Sequence, residues 1–189
     1  MPNSSSERFH KIIDVALPPA LSQIIAPSVQ ALEQLSLRIK VLDREISALA
    51  RSKYPATAWL EQIPGVGPIT ALYFILKIEN PKRFDRARDV GAFIGLCPRR
   101  DQSGESDPQL RISKRGDAYL RRLLVSSAQY ILGPFAPPSA LRQYGLSLAA
   151  EGTVRAKKRA VVAVARKLAV LLLTLWKNER SYVPFPQFS

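Results

Sequence analysis

Six apolar residues, Leu32, Leu35, Ile39, Leu42, Ile46 and Leu49, recur at spacings of 3, 4, 3, 4 and 3. No other feature of the 189-residue chain limits its folding as much. The spacing is an a/d seam, with Glu33, Arg38, Lys40, Arg44 and Glu45 off the stripe, and it dictates one long helix over about 28–52. At 1.5 Å per residue such a helix extends roughly 35–40 Å. Its apolar stripe must be covered, either by an antiparallel neighbour within the chain or by a second copy in a coiled-coil dimer. Both readings stand at this point.

Pro55 closes this arm, so the sequence divides into a helical arm over 1–54 and a compact domain over 55–189. Residues 7–25 form a preceding helix interrupted at Pro18-Pro19. In the second part, the pattern predicts short helices over 58–62 and 69–78, a turn at Asn80-Pro81, and a helix from Arg86 to Ile94 capped by Asp85. Polar and turn residues exclude a helix over 96–113 but permit a short hairpin. Asp117 opens a helix to Leu132, a short helix ends at Leu148, and Thr153 starts a last long helix reaching Lys177. In that helix Val154, Val161, Val162, Ala165, Leu168 and Leu172 face inward and Arg155, Lys158, Arg159 and Arg166 outward. Trp59, Phe74, Phe84, Phe93 and Trp176 read as core. The fold class is mainly α.

Charge decides the partner class. Lys and Arg number 28 against 15 Asp and Glu, a formal net charge of +13, and such an excess gathers at polyanions. Residues 142–180 carry nine basic side chains and two acidic ones, Glu151 and Glu179. The outer face of the last helix is therefore either a set of phosphate contacts or a solvated surface. The apolar run from Ala160 to Trp176 is broken by Arg166-Lys167 and too short for a membrane span; no membrane partner is expected. A single cysteine, Cys97, excludes internal disulfides and fits a reducing cytoplasm. A single histidine, His10, leaves no partners for a zinc site. Asp101, Glu105 and Asp107 lie beside arginines and read as a charge-balanced surface, so no metal site and no cofactor is expected in this chain.

Two segments carry chemistry. Leu60-x-x-Ile63-Pro64-Gly65-Val66-Gly67-Pro68-x-Thr70-Ala71 resembles a helix-hairpin-helix. Gly65 and Gly67 permit a tight turn and leave room for a phosphate, and the backbone N–H groups near Thr70 face an anion. Such contacts ignore base identity. The same residues can also simply join two packed helices. The second segment is the Ser103-Gly104 loop, with Arg99 and Arg100 before it and Arg111, Lys114 and Arg115 after it. Arginine forks match phosphate oxygens and stabilise charge at phosphorus. A serine hydroxyl needs activation, the segment has no histidine, and from the residues alone a catalytic Ser103 is the minority reading. Arg121 and Arg122, in the first turns of the next helix, either bind phosphate or form a solvated face.

Taken in order, these motifs resemble one family. Ile-Pro-Gly-Val-Gly-Pro-x-Thr-Ala, Arg-Phe, Phe-Ile-Gly-Leu-x-Pro-Arg, Ser-Gly, Arg-Ile-Ser-Lys-Arg-Gly and Tyr-Leu-Arg-Arg-Leu-Leu are similar to the C-terminal domain of the DEDD-type insertion-sequence transposases, the recombinases guided by a bridge RNA. The resemblance runs over about 57–182 and includes Ala-Arg-Lys-Leu-Ala and Trp-Lys-Asn-Glu-Arg-Ser-Tyr. It implies that Ser103 attacks a DNA phosphodiester to form a phosphoserine link, and that the arm pairs protomers into a homodimer through residues 28–52. DNA and a guide RNA are the implied partners, in a bacterial or archaeal cytoplasm. The family's other half is an N-terminal RuvC-like domain that holds Mg²⁺. This sequence lacks it, so the chain is expected to be a fragment or truncated form, inactive without that half. Glu105-Ser106-Asp107 depart from the family's more basic loop. The competing reading is a non-enzymatic dimeric DNA-binding protein; a weaker third is an RNA-binding or scaffold fragment.

Overall fold

The computed structural model describes residues 18–99 and 111–186. The chain divides into two units, Met1–Leu49 and Ala50–Ser189. Helix α1 (Pro19–Lys53) accounts for the described part of the first unit and ends in the second. It starts earlier than the sequence pattern suggests and absorbs Pro27 in its interior. An interior proline removes one N–H donor and crowds the carbonyl four residues before it, which is why the sequence pattern places the helix start after Pro27. Pro19 sits at the N-terminal turn, where a missing donor costs nothing. The seam residues remain open on this helix: Leu35 is 56 %, Ile39 54 % and Leu42 55 % exposed.

The second unit is a helical bundle around α7 (Val154–Asn178). Ala160, Val164, Leu168, Leu172 and Leu175 are buried along one face of α7 at intervals of three and four, the pattern of a helix with one buried stripe. Against it pack α6 (Ala140–Ala149), α5 (Ala118–Leu132), α4 (Val90–Phe93) and α2 (Thr57–Leu60), while α3 (Pro68–Ile78) lies on α5 and α2. Burying a leucine such as Leu168 stabilises by about 1.5–3 kcal/mol, so the α7 stripe is a major source of the unit's cohesion.

Helix starts follow their caps. The Asp117 carboxylate accepts the Leu120 N–H at 2.7 Å, Ser139 Oγ the Arg142 N–H at 3.1 Å, and Thr153 Oγ1 the Ala156 N–H at 3.1 Å. Each satisfies a donor that the first turn leaves free.

Two expectations fail. Asp85 caps no helix: Phe84 and Arg86 are extended, and the chain takes a 3₁₀ turn at Ala87–Asp89 before the short α4. Phe84 and Phe93 pack edge-to-face at 5.5 Å, and that contact sets the chain's course in place of a continuous helix. Val154 lies not in the core but 69 % exposed, on the side of the first turn of α7 away from Ala156, which is buried. Phe74 is fully buried, whereas Trp59, Phe84, Phe93 and Trp176 are half-buried against the core. No helix among the described residues is long and apolar enough to cross a membrane.

Candidate nucleic-acid interface

The two limbs of the Ser103 loop are fixed at their roots. Pro98 and Ile112 form an antiparallel bridge; Arg99 N–H donates to the Arg111 carbonyl at 2.9 Å and Ser113 N–H to the Cys97 carbonyl at 2.8 Å. The bridge joins the two described ends of the segment; the residues between them, 100–110, lie outside the described residues. One step further in, two glycines cross. Gly95 has φ +76°, and a Cβ there would sit 2.8 Å from the backbone nitrogens of Arg115 and Gly116. A Cβ on Gly116 would overlap the Phe93 carbonyl oxygen. Only glycine permits this approach. Lys114, with φ 55°, donates its N–H to the Gly95 carbonyl at 3.1 Å.

Arg121 locks the crossing. Its Nη1 donates to the carbonyls of Ile94 at 3.0 Å and Gly116 at 3.2 Å. The side chain is half-buried, and through Nη1 it works as an internal brace that holds the loop root. Arg142 does the same elsewhere, donating to the Ile131 carbonyl at 2.6 Å and to that of Gly133. Arg122 stays exposed, with its guanidinium 4.8 Å from the Tyr119 ring centroid. Arg99 and Arg115 are exposed at the loop root. Ser103 and Arg100 lie outside the described residues.

Beside the loop root opens a cleft of about 1800 Å³. Arg111 and Lys114 of the loop limb, Arg88 of the 3₁₀ turn, and Arg155, Lys158, Arg159, Arg166 and Lys167 of α7 line it, and among the described residues no Asp or Glu does. Eight described cations around one concavity raise the local concentration of a polyanion. Successive turns of α7 deliver five of the eight because residues three and four apart share a face. Between them lie apolar side chains, including Val162, Val170 and Leu171. The Lys167 ammonium rests 3.4 Å from the Tyr144 ring centroid.

The glycine turn contributes no side chain to this cleft. Gly65 takes φ +90°, and a Cβ there would press on Tyr130 at 2.8 Å, so turn geometry and packing on α5 both require glycine. Gly67 differs: it is the N-cap of α3 with φ −89° and ψ 172°, a conformation open to any residue, and a Cβ would meet nothing within 4 Å. The fold does not demand glycine at this position. Its bareness leaves the first turn of α3 open to an external group. Thr70 is 7 % exposed; its hydroxyl is withdrawn from solvent and only backbone near it can face a ligand.

Arg88, Tyr144, Lys167 and Tyr182 are cleft residues that the sequence does not single out as a site. Arg88 and Tyr182 come from distant parts of the chain and carry no local signal. The α7 cations do carry one, since Arg155, Lys158, Arg159 and Arg166 recur at helical spacing.

Asp117 is held in a network. Lys77 Nζ lies 3.2 Å from its carboxylate, and the Tyr73 hydroxyl donates at 3.3 Å. The Leu120 N–H, with Lys77 and Tyr73 behind it, holds the carboxyl below its ordinary value against the opposing effect of burial. This network caps α5 immediately after the loop. Among the described residues no three His, Cys, Asp or Glu side chains gather.

Residues 57–144 match the family described as transposase IS116/IS110/IS902. The chain is 31 % identical over 168 residues to the transposase for insertion sequence element IS1111A of Coxiella burnetii, covering 89 % of this chain and 45 % of the relative. It is 33 % identical over 172 residues to the putative transposase y4pF/y4sB of Sinorhizobium fredii, covering 89 % and 43 %. The pilin gene-inverting protein of Moraxella bovis is 27 % identical over 124 residues, 65 % of this chain and 37 % of that protein. The chain thus spans just under half the length of the first of these curated relatives.

Proposed function

We propose that this chain, whose residues 57–144 carry the IS116/IS110/IS902 transposase match, is the DNA-gripping, serine-bearing part of a transposase or DNA-inverting recombinase. The observation that carries the reading is the cleft adjoining the root of the Ser103 loop, lined among the described residues by eight cations and no acid. Phosphates on that surface are held by Arg111, Lys114 and the α7 cations, with Arg99, Arg100 and Arg115 around the loop. Gly65, Gly67 and the backbone near Thr70 add a sequence-neutral backbone contact at the first turn of α3.

The chemistry assigned to Ser103 is a transesterification. Its hydroxyl gives up a proton, Oγ bonds to phosphorus, and the bond to one sugar oxygen breaks. That oxygen leaves with a proton, and the strand stays joined to the protein. Cations around the phosphate offset the negative charge that builds in the transition state. The brace of Gly95, Gly116 and Arg121 fixes the two roots from which the loop springs. Mg²⁺, when supplied by a RuvC-like half, serves as a Lewis acid; this chain's residues bind and orient the strand.

The exposed Leu32–Leu49 seam is assigned to pairing with a second copy, giving a homodimer with DNA as partner and guide RNA as the second nucleic acid. The test of the serine is direct. Incubate the chain with element-end DNA, guide RNA, Mg²⁺ and the RuvC-like half of a relative, then look for protein covalently joined to DNA on a denaturing gel. Ser103→Ala abolishes the adduct while leaving binding within about twofold. An adduct that persists in Ser103→Ala removes the nucleophile assignment.

A further inference from the structure

The cleft is built from two chemistries. Its rim is cationic, with Arg155, Lys158, Arg159 and Arg166 along α7. Its floor and far wall are apolar: Val162 and Val170 of α7, Tyr144 of α6, and Tyr182 and Pro184 of the tail. The tail is pinned as a wall at two points. Tyr182 N–H donates to Gln62 Oε1 at 2.8 Å, and the Pro184 carbonyl accepts the Ala140 N–H at 2.8 Å.

A double helix satisfies only half of this. It shows phosphates outward and hides its base faces, so the apolar floor would meet sugar and water and gain nothing from burial. An unpaired strand shows both chemistries, phosphates along one edge and flat base faces on the other, and every base has a face that stacks. We propose that the cleft takes an unpaired nucleic-acid strand, DNA or RNA, with phosphates on the α7 cations and bases against Tyr144, Tyr182 and the valines. The inference rests on the reading of this surface as a nucleic-acid interface and specifies the strand state that it accepts.

Fluorescence anisotropy with the full chain tests it, using a 12-nucleotide DNA, an RNA of the same sequence, and the corresponding DNA duplex at one salt concentration. The unpaired strands bind at least about tenfold tighter than the duplex, and the tighter of the two identifies the strand. Tyr182→Ala weakens unpaired binding about fivefold or more, the loss of one stacking platform, while leaving the salt slope and duplex affinity unchanged. Tyr182→Leu keeps the apolar packing of the tail and loses stacking alone; it reproduces most of that loss with an unchanged melting temperature. A duplex that binds as tightly as the single strands, or a Tyr182→Leu variant that binds all three probes as the parent does, overturns the strand assignment. Lys158→Ala/Arg159→Ala separates the two levels. If this pair weakens every probe while strand preference is missing, the interface stands and only the strand inference falls. If it weakens none, the interface reading falls with it.

Discussion

Replacing Lys158 and Arg159 together by alanine removes two of the eight cations that line the cleft. Both side chains are exposed on α7, so the change leaves the core untouched and alanine favours the helix. Each phosphate contact on a single strand contributes about 0.7 to the slope of log affinity against log salt. Two lost contacts lower that slope by about 1.4, and at 0.1 M salt this amounts to roughly 25-fold in affinity. At 0.25 M the deficit shrinks to about sevenfold, because each released counterion gains less entropy on entering the more concentrated salt. The assay is anisotropy titration across that salt range, with Lys40→Ala on the arm as a control that changes nothing. A deficit that stays constant with salt, or a slope that does not move, refutes the assignment of these residues to phosphates.

Other perturbations probe different parts of the account. Gly116→Ala forces a methyl group onto the Phe93 carbonyl; it destabilises by about 3 kcal/mol or more and lowers the melting temperature by about 10 °C, and an unshifted melt contradicts the described crossing. Gly67→Val meets nothing within 4 Å, so stability changes by at most about 1 kcal/mol while DNA affinity falls at least about fivefold; unchanged affinity removes the contact at α3. Asp117→Ala deletes the α5 cap and costs about 1–2 kcal/mol. Because the folded carboxyl is held below its ordinary value, its contribution is present above the unfolded pKa near 3.9 and disappears as acidification passes the lower folded value. Acid melts of parent and Asp117→Ala therefore converge at low pH, and a constant gap rejects the network. Leu42→Asp places a charge in the exposed seam and halves the mass read by light scattering, whereas a surviving dimer locates the interface elsewhere.

Local chemistry made much of the second unit readable. Asp117 and Thr153 each precede helix-forming segments and cap them, and the polar stretch after Leu96 is no helix where it is described. The unreadable parts are those decided at a distance. Arg121 has the sequence context of a phosphate ligand, yet the carbonyls that claim it belong to Ile94 and Gly116. Arg88, Tyr144 and Tyr182 acquire meaning only when α7 brings the 3₁₀ turn, α6 and the tail around one cleft. Gly65 and Gly67 look alike in sequence; only their surroundings in the fold separate a glycine that packing on Tyr130 requires from one that is left unconstrained.

The most direct measurement is a structure of the chain bound to an element-end DNA strand. The account predicts a backbone running along Arg155, Lys158 and Arg159, with one phosphorus about 3–3.5 Å from the Ser103 hydroxyl oxygen, the reach of a near-attack geometry. DNA seated on another face, with Ser103 turned away from every phosphate, contradicts it.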